Sequence, residues 1–418
     1  MPEHKIRNIL LPILLLLILP ESYSQRIASI EVAFSEPTFG LSIPVSIDLD
    51  EITHSSDTLL NLYHISGRLK NAVPFQIDQG ASRHLCWIVP TGTGKGEKHL
   101  FELVRERSGN YPEMDAVAKD GSLTLSSGER NLLRYYFSTV YPPPGVDTAY
   151  RRSGFIHPLW APDGQILTRI QPPDHYHHYG IWNPWTQVEY EGEVVDFWNI
   201  NSKQGTVRFA GFASIQRGPV FAELRALHEH VVFRKTGTEK VALKELQGVR
   251  VYRPQEDQPF FVVDLTFELN CADESPFRIL EYRYAGLGWR TTEKWNNKNS
   301  IVLTSEGMTR KDADGSKAKW CMVQGEIDDA FAGVVMMSFP TNYNFPEPLR
   351  VWPENQYDRG DMFVNFSPTK DTDWLLLPGR KYALNYRFLI YNGPITAEKA
   401  ESAWRYYANP PRIRIKKY

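Results

Sequence analysis

Three histidines and an aspartate crowd the run "QPPDHYHHYG" at residues 171–180, directly after two prolines. Imidazole titrates near pH 6.5, so it donates or accepts a proton at neutral pH, and its lone pair also ligates metal ions. Proton transfer, metal binding and a well-packed bend are therefore three readings of one decapeptide. The proline rings fix φ and bias the preceding residue toward extended backbone. On that ground the segment is read as a loop running into a strand near "YGIW". In extended geometry His175 and His177 point to one face, with Asp174 beside them, and His178 points to the other. His157, in "FIHPLW", arrives from the preceding strand.

A metal reading has weak support from spacing. The H-x-H pattern of cupin-type sites needs a Glu shortly afterwards and a second His-bearing motif. Here the first acid after His178 is Glu189, and the later half carries His only at 228 and 230. The expectation is no resident metal or other cofactor, with metal binding open as an alternative. His178 also reads as a buried histidine satisfied by backbone carbonyls. His228 and His230, in "LHEHVV", sit at strand spacing and are expected to face outward from a sheet.

These residues need elements to hold them. Across 418 residues there is room for two or three domains with sizeable cores. A 42% hydrophobic and 23% charged composition with net charge -2 excludes a disordered chain and gives no basic surface for nucleic acid. Aromatic residues make up 13%, which suits β-cores and also sugar-stacking surfaces. Short runs of period-two alternation, such as "SIPVSIDL" and "HLCWIV", predict a small β-sandwich over residues 25–132. The run "PTGTGKGEK" departs from the phosphate-loop pattern and is read as a hairpin turn. A longer series of strands, including "FAELRALHEHVVF" and "PFFVVDLTFEL", predicts a large antiparallel β-domain over 133–395. Only "TAEKAESAWRYYA" has helical periodicity, giving a helical tail over 396–418. The fold class is all-β.

At the amino terminus, His4, Lys5 and Arg7 precede the apolar run "ILLPILLLLILP" and the small residues Ser22 and Ser24. That pattern predicts a signal peptide over residues 1–24, cleaved before Gln25 and leading to the periplasm or medium, since the run is shorter than the roughly 20 residues of a spanning helix. Three cysteines without C-x-x-C spacing argue against a zinc ribbon and a disulfide scaffold, with one bridge left open.

The run "GFIHPLWAPDGQILTRIQPPDHYHHYGIW", together with "VRVYRP", "YRYAGLGWR", "TSEG", "KAKWC", "FPTNYNFP" and "LPGRKYALNYRFLIYNG", resembles a bacterial family labelled "methane oxygenase PmoA". The resemblance spans roughly residues 30–395. The label names an integral membrane subunit and does not describe this chain, whose later residues hold no apolar run of spanning length. The family occurs mainly in polysaccharide-degrading bacteria. Its large domain is similar to the galactose-mutarotase-like supersandwich, in which a His pairs with a carboxylate or Tyr across a sugar cleft.

That resemblance implies a proton-transfer site built from His177, His175 and His157, with Tyr284 or Glu306 as partners and Tyr282 and Glu293 nearby. Arg169 and Arg290 have the planar fork that grips a uronic carboxylate. Asp174 and His178 would orient substrate. Trp182, Trp289 and Trp352, with Trp185, are candidate sugar platforms. Each has a structural alternative: tryptophans as core, Glu306 as a turn residue, Arg169 paired with Asp174. Asp196 and Asn199 would line the cleft or end a strand. The leading expectation is an exported carbohydrate-active enzyme doing hydrolysis, β-elimination, dehydration or epimerisation on an oligosaccharide or polysaccharide with uronic units. A non-catalytic sugar-binding protein and a metal-dependent oxidoreductase are the alternatives.

Overall fold

A computed structural model describes residues 25–256 and 258–418. The signal-peptide expectation falls on residues 1–24 and lies outside them. The described residues are all-β, with antiparallel sheets and one α-helix, Ala397–Ala408. No described helix is long and apolar enough to cross a membrane.

Alternation along the longest strands explains the layering. Eight strands, from Gly205–Gln216 at one edge to Ser300–Thr304 at the other, form a single antiparallel sheet. In its strand Phe260–Cys271, Phe261, Val263, Leu265, Phe267 and Leu269 face one core, while Phe260 and Val262 face another. Its strand Tyr382–Asn392 repeats this, with Leu384, Tyr386, Phe388 and Ile390 on the first side and Leu389 and Tyr391 on the second. Period two is thus spent on two apolar faces, and each large side chain buried contributes about 1.5–3 kcal/mol.

The first core is closed by a nine-stranded and a four-stranded sheet. The second is closed by the N-terminal sandwich, a five-stranded sheet facing a three-stranded one. Within the nine-stranded sheet, Phe155–Leu159, Ile181–Trp182, Gly288–Arg290 and Phe363–Phe366 lie side by side. These four strands carry the histidine segment and its surroundings.

Two boundaries and one connection differ from expectation. Strands Asp115–Lys119, Ser122–Ser127 and Arg130–Tyr136 pair onward to Phe155–Leu159 in the nine-stranded sheet, so sheet membership changes near residue 113, not 132. Alternation has the same period in every sheet and does not record which sheet a hairpin joins. The helical tail ends at Ala408, after which Arg412–Lys417 pairs antiparallel with Gln25–Ala33 and completes the N-terminal sandwich. The run "PTGTGKGEK" connects Arg83–Val89 and Lys98–Arg105, which belong to different sheets, so it is a crossing loop and not a hairpin. Cys86, Cys271 and Cys321 are free.

Candidate functional site

Between a β-bridge joining Ile170 to Tyr179, the decapeptide makes two successive turns. The His175 N–H donates to the Pro172 carbonyl at 2.9 Å, and the His178 N–H donates to the His175 carbonyl at 2.9 Å. Pro173 takes the second position of the first turn, where its fixed φ is favourable. Gln171 N–H donates to the His178 carbonyl at 2.8 Å and closes the loop. Gly180 then adopts φ +59°, and a Cβ there would meet the Ile156 carbonyl oxygen at 2.2 Å, so no side chain fits.

The turns overturn the expected facing of the histidines. A turn brings its first and fourth residues together, whereas only an extended strand separates odd from even positions. The His175 and His178 ring centroids are 4.6 Å apart, His175 and His177 5.1 Å, and His177 and His178 4.8 Å. One ring nitrogen from each lies within 4.8 Å of the other two. All three imidazoles share one space.

A charged layer supports them. Asp174 Oδ2 lies 3.0 Å from His175 Nδ1 and 3.0 Å from Arg290 Nη2. Arg290 Nη2 also donates to Asp361 Oδ2 at 2.7 Å, and its guanidinium sits 4.5 Å from the Trp352 ring centre. Burial works to raise the Asp174 pKa, but the His175 hydrogen bond and the Arg290 charge outweigh it and hold the carboxyl at about 2. An aromatic layer closes the other side. His178, 3% exposed, packs against Trp182, Trp352 and Phe363 at centroid distances of 5.1, 5.5 and 4.9 Å. Its Nδ1 is buried with no hydrogen-bond partner among the described residues. Burial pushes the His178 pKa well below the ordinary range, and burial followed by the neighbouring His175 charge takes His177 to about 3. Burial thus favours the neutral form of both rings.

His157 and Arg169 stand in a neighbouring cleft of about 580 Å³, which Pro172, Pro173 and Glu293 also line. His157 Nδ1 is 2.9 Å from Thr168 Oγ1, and burial, then the Arg134 charge, lowers its pKa to about 4. Arg169 pairs with Glu293 and Asp361, each at 3.4 Å, and not with Asp174. Pro172 and Pro173, which lead into the histidine turns, form part of the wall of this cleft.

Other expected residues lie elsewhere. Glu306 is exposed in the turn after Ser300–Thr304, beside the Ser305 hydroxyl, and is a turn residue. Trp289 is fully buried, donates to the Leu167 carbonyl at 3.0 Å and belongs to the first core, as does Trp185. Strand alternation sends Trp289 into the first core and Arg290 to the opposite side, onto Asp174 and Asp361. Trp182 and Trp352 are walls, the latter 5% exposed, not open platforms. Tyr284 donates to Asn199 Oδ1 at 3.1 Å and packs on Trp198, a layer behind His178. Asp196 accepts the Trp198 and Asn199 N–H groups and ends a strand. His228 and His230 are buried, not outward: they share the inner register of Leu224, Ala226 and Val232 and bind the buried Glu245 at 2.9 and 3.2 Å. Burial raises Glu245, but those two hydrogen bonds outweigh it and hold it at about 2.

Three residues of the site escaped the sequence reading. Asp361 clamps Arg290, Arg169 and, at 2.8 Å, Arg359. Arg310, buried, holds the Trp352, Gly360 and Asp361 carbonyls at 3.1, 2.7 and 2.6 Å and so shapes the loop. Tyr357, 48% exposed, places its hydroxyl 3.1 Å from His175 Nδ1 at the mouth. The charge-dense run "YDRGD" was the available signal for Tyr357 and Asp361. Tyr357 and Asp358 hold φ +51° and +59°, a conformation that non-glycine residues seldom adopt and that gathers at functional sites.

The profile of a family described as "Family of unknown function (DUF6807)" matches residues 122–405, which include the whole cleft. No curated protein matches the chain. Among solved structures, a TPR-domain containing protein from Parabacteroides distasonis is similar at 10% identity and a TM-score of 0.24, covering 87% of this chain. This chain spans 57% of that one, and so low a score supports no statement about fold or activity.

Proposed function

This chain belongs to the DUF6807 family, and we propose that it is an exported carbohydrate-active enzyme whose reaction centre is the His175–His177–His178 cleft. The observation that carries this reading is the convergence of three imidazoles on one space, with Asp174 fixing the tautomer of one of them. A carboxylate on Nδ1 leaves Nε2 as the nitrogen with a free lone pair, which is how an imidazole is prepared to take a proton. Burial disfavours the charged form of His177 and His178, so the proton goes to His175, directly or through a water held among the rings.

Sugar as the substrate draws on the rim. Tyr357 at the mouth and Tyr150 and Tyr176 beside His177 offer ring faces and hydroxyls, the combination that suits the apolar face and hydroxyl edge of a pyranose. The resemblance to proteins of polysaccharide-degrading bacteria points the same way. Hydrolysis, β-elimination, dehydration and epimerisation all need such a proton acceptor. The adjoining cleft with Arg169 and His157 would take a neighbouring sugar, uronic if Arg169 exchanges Glu293 for the substrate carboxylate.

The test is incubation with neutral and uronic-acid-rich oligosaccharides, read by mass and by anomer-resolved NMR. Gain of 18 Da, loss of 18 Da, chain splitting without added water, or a changed configuration each supports the reading and names the reaction. Binding with no chemical change would convert it to a sugar-binding protein. Neither binding nor product across the panel would overturn it.

A further inference from the structure

We propose that His175, His177 and His178 together hold one divalent transition-metal ion of the zinc class, with a coordination position left open to the cleft. The inference concerns the same cleft as the reading above and deepens it, since the ion would hold the water through which the cluster takes up a proton. The sequence argument against a metal rests on the missing cupin-type Glu and second His-bearing motif, whereas the paired turns draw a third histidine from within the decapeptide itself.

Four observations carry it. First, three ring nitrogens lie within 4.8 Å of one another. Tetrahedral zinc with bonds of about 2.0–2.1 Å sets its donors about 3.4 Å apart, so the rings need to close by little more than an ångström. Second, Asp174 on His175 Nδ1 is the outer-shell carboxylate that ligating histidines typically carry, and Arg290 and Asp361 hold that carboxylate in turn. Third, His178 is buried among Trp182, Trp352 and Phe363 with Nδ1 unpartnered, an arrangement unfavourable for a polar ring that bonds to nothing. Fourth, the donor set is three imidazoles with one carboxylate behind them and no thiolate, which suits zinc, cobalt, nickel or copper rather than calcium or magnesium. Three histidine ligands with an open position are the arrangement of catalytic rather than structural zinc, and an ion so held lowers the pKa of its bound water to about 7.

Metal binding is measured without any sugar. The protein is stripped with a chelator, titrated with Zn²⁺ by calorimetry and with Co²⁺ by visible absorption, and its content is read by elemental analysis after gel filtration. One ion per chain and a cobalt spectrum of tetrahedral intensity are expected. His177→Ala should weaken binding at least 100-fold, and Asp174→Asn by about 10- to 100-fold while the protein stays folded by circular dichroism. His54→Ala, at an exposed histidine outside the site, should change nothing. Substoichiometric binding, or binding that His177→Ala and Asp174→Asn leave intact in folded protein, would mean an adventitious ion only and overturn the proposal. Undiminished turnover by the stripped protein would overturn the metal and keep the sugar reading. A stoichiometric ion with no sugar bound or converted would keep the metal and overturn the sugar reading.

Discussion

Asp174 Oδ2 and His175 Nδ1 lie 3.0 Å apart in adjacent residues of a turn. Adjacent side chains on a strand diverge to opposite faces, so this pair exists only because the backbone bends. Arg290, 1% exposed, meets the same Asp174 oxygen, so the carboxylate is held by a second, buried partner. The pair thereby presents one defined tautomer to the cleft.

His177→Ala should lower turnover by about 10²- to 10⁴-fold and leave the melting temperature nearly unchanged, because His177 is only half-buried. Glu306→Gln, at an exposed turn, should alter neither. Equal losses of activity in both variants would remove the cleft from the chemistry.

His178→Ala should lose stability as well as activity, by about 1–3 kcal/mol, since it empties a space enclosed by Trp182, Trp352 and Phe363. Urea unfolding of this variant beside His177→Ala separates the two roles. Wild-type stability for His178→Ala would contradict the packing described above.

Asp361→Ala should be among the most damaging single changes at the site. It strips the buried Arg290 of one of its two carboxylates and frees the loop end that carries Tyr357. Removing one member of a buried charge pair costs about 3–5 kcal/mol, and the retention of Asp174 places the expected loss at the lower end. Arg359→Ala, at the exposed end of the same cluster, should cost under about 1 kcal/mol. Chemical denaturation of the two variants gives the comparison.

His157 makes stability depend on pH. Unfolded, it titrates near the ordinary 6.5, and folded, near 4. Between those values the unfolded chain binds more protons, so unfolding free energy falls as pH falls from 6.5 toward 4, by up to about 1.4 kcal/mol per pH unit for one proton. His157→Gln, which keeps a polar group beside Thr168 and cannot titrate, should flatten this part of the profile by about one proton's worth. An unchanged acid slope would show that His157 ionises freely in the fold.

Tyr357→Ala should raise the KM for an oligosaccharide severalfold with little change in melting temperature, its ring being 48% exposed. Tyr357→Phe separates stacking from the hydroxyl contact to His175. If both variants match wild type in KM, the rim plays no part in binding.

Period-two alternation in runs such as "PFFVVDLTFEL" determined the all-β class, and the helical spacing of "TAEKAESAWRYYA" determined the one α-helix among the described residues, because both depend only on local geometry. The decapeptide reads as a loop entering an extended strand, and its two turns emerge only in the structure, because the prolines fix their own φ but not the hydrogen bonds that close a turn. Which hairpin joins which sheet was settled only in three dimensions, as Asp115–Tyr136 demonstrates, since every antiparallel sheet has the same period. The inward facing of His228 and His230 likewise required Glu245, seventeen and fifteen residues away, to make burial of their rings favourable. Likewise, the approach of Asp361 and Tyr357 to His175 crosses about half the chain. No local pattern encodes such a distance, because long-range approach is decided by how whole sheets bury their apolar faces, and a charged or aromatic residue at the rim follows the strand that carries it.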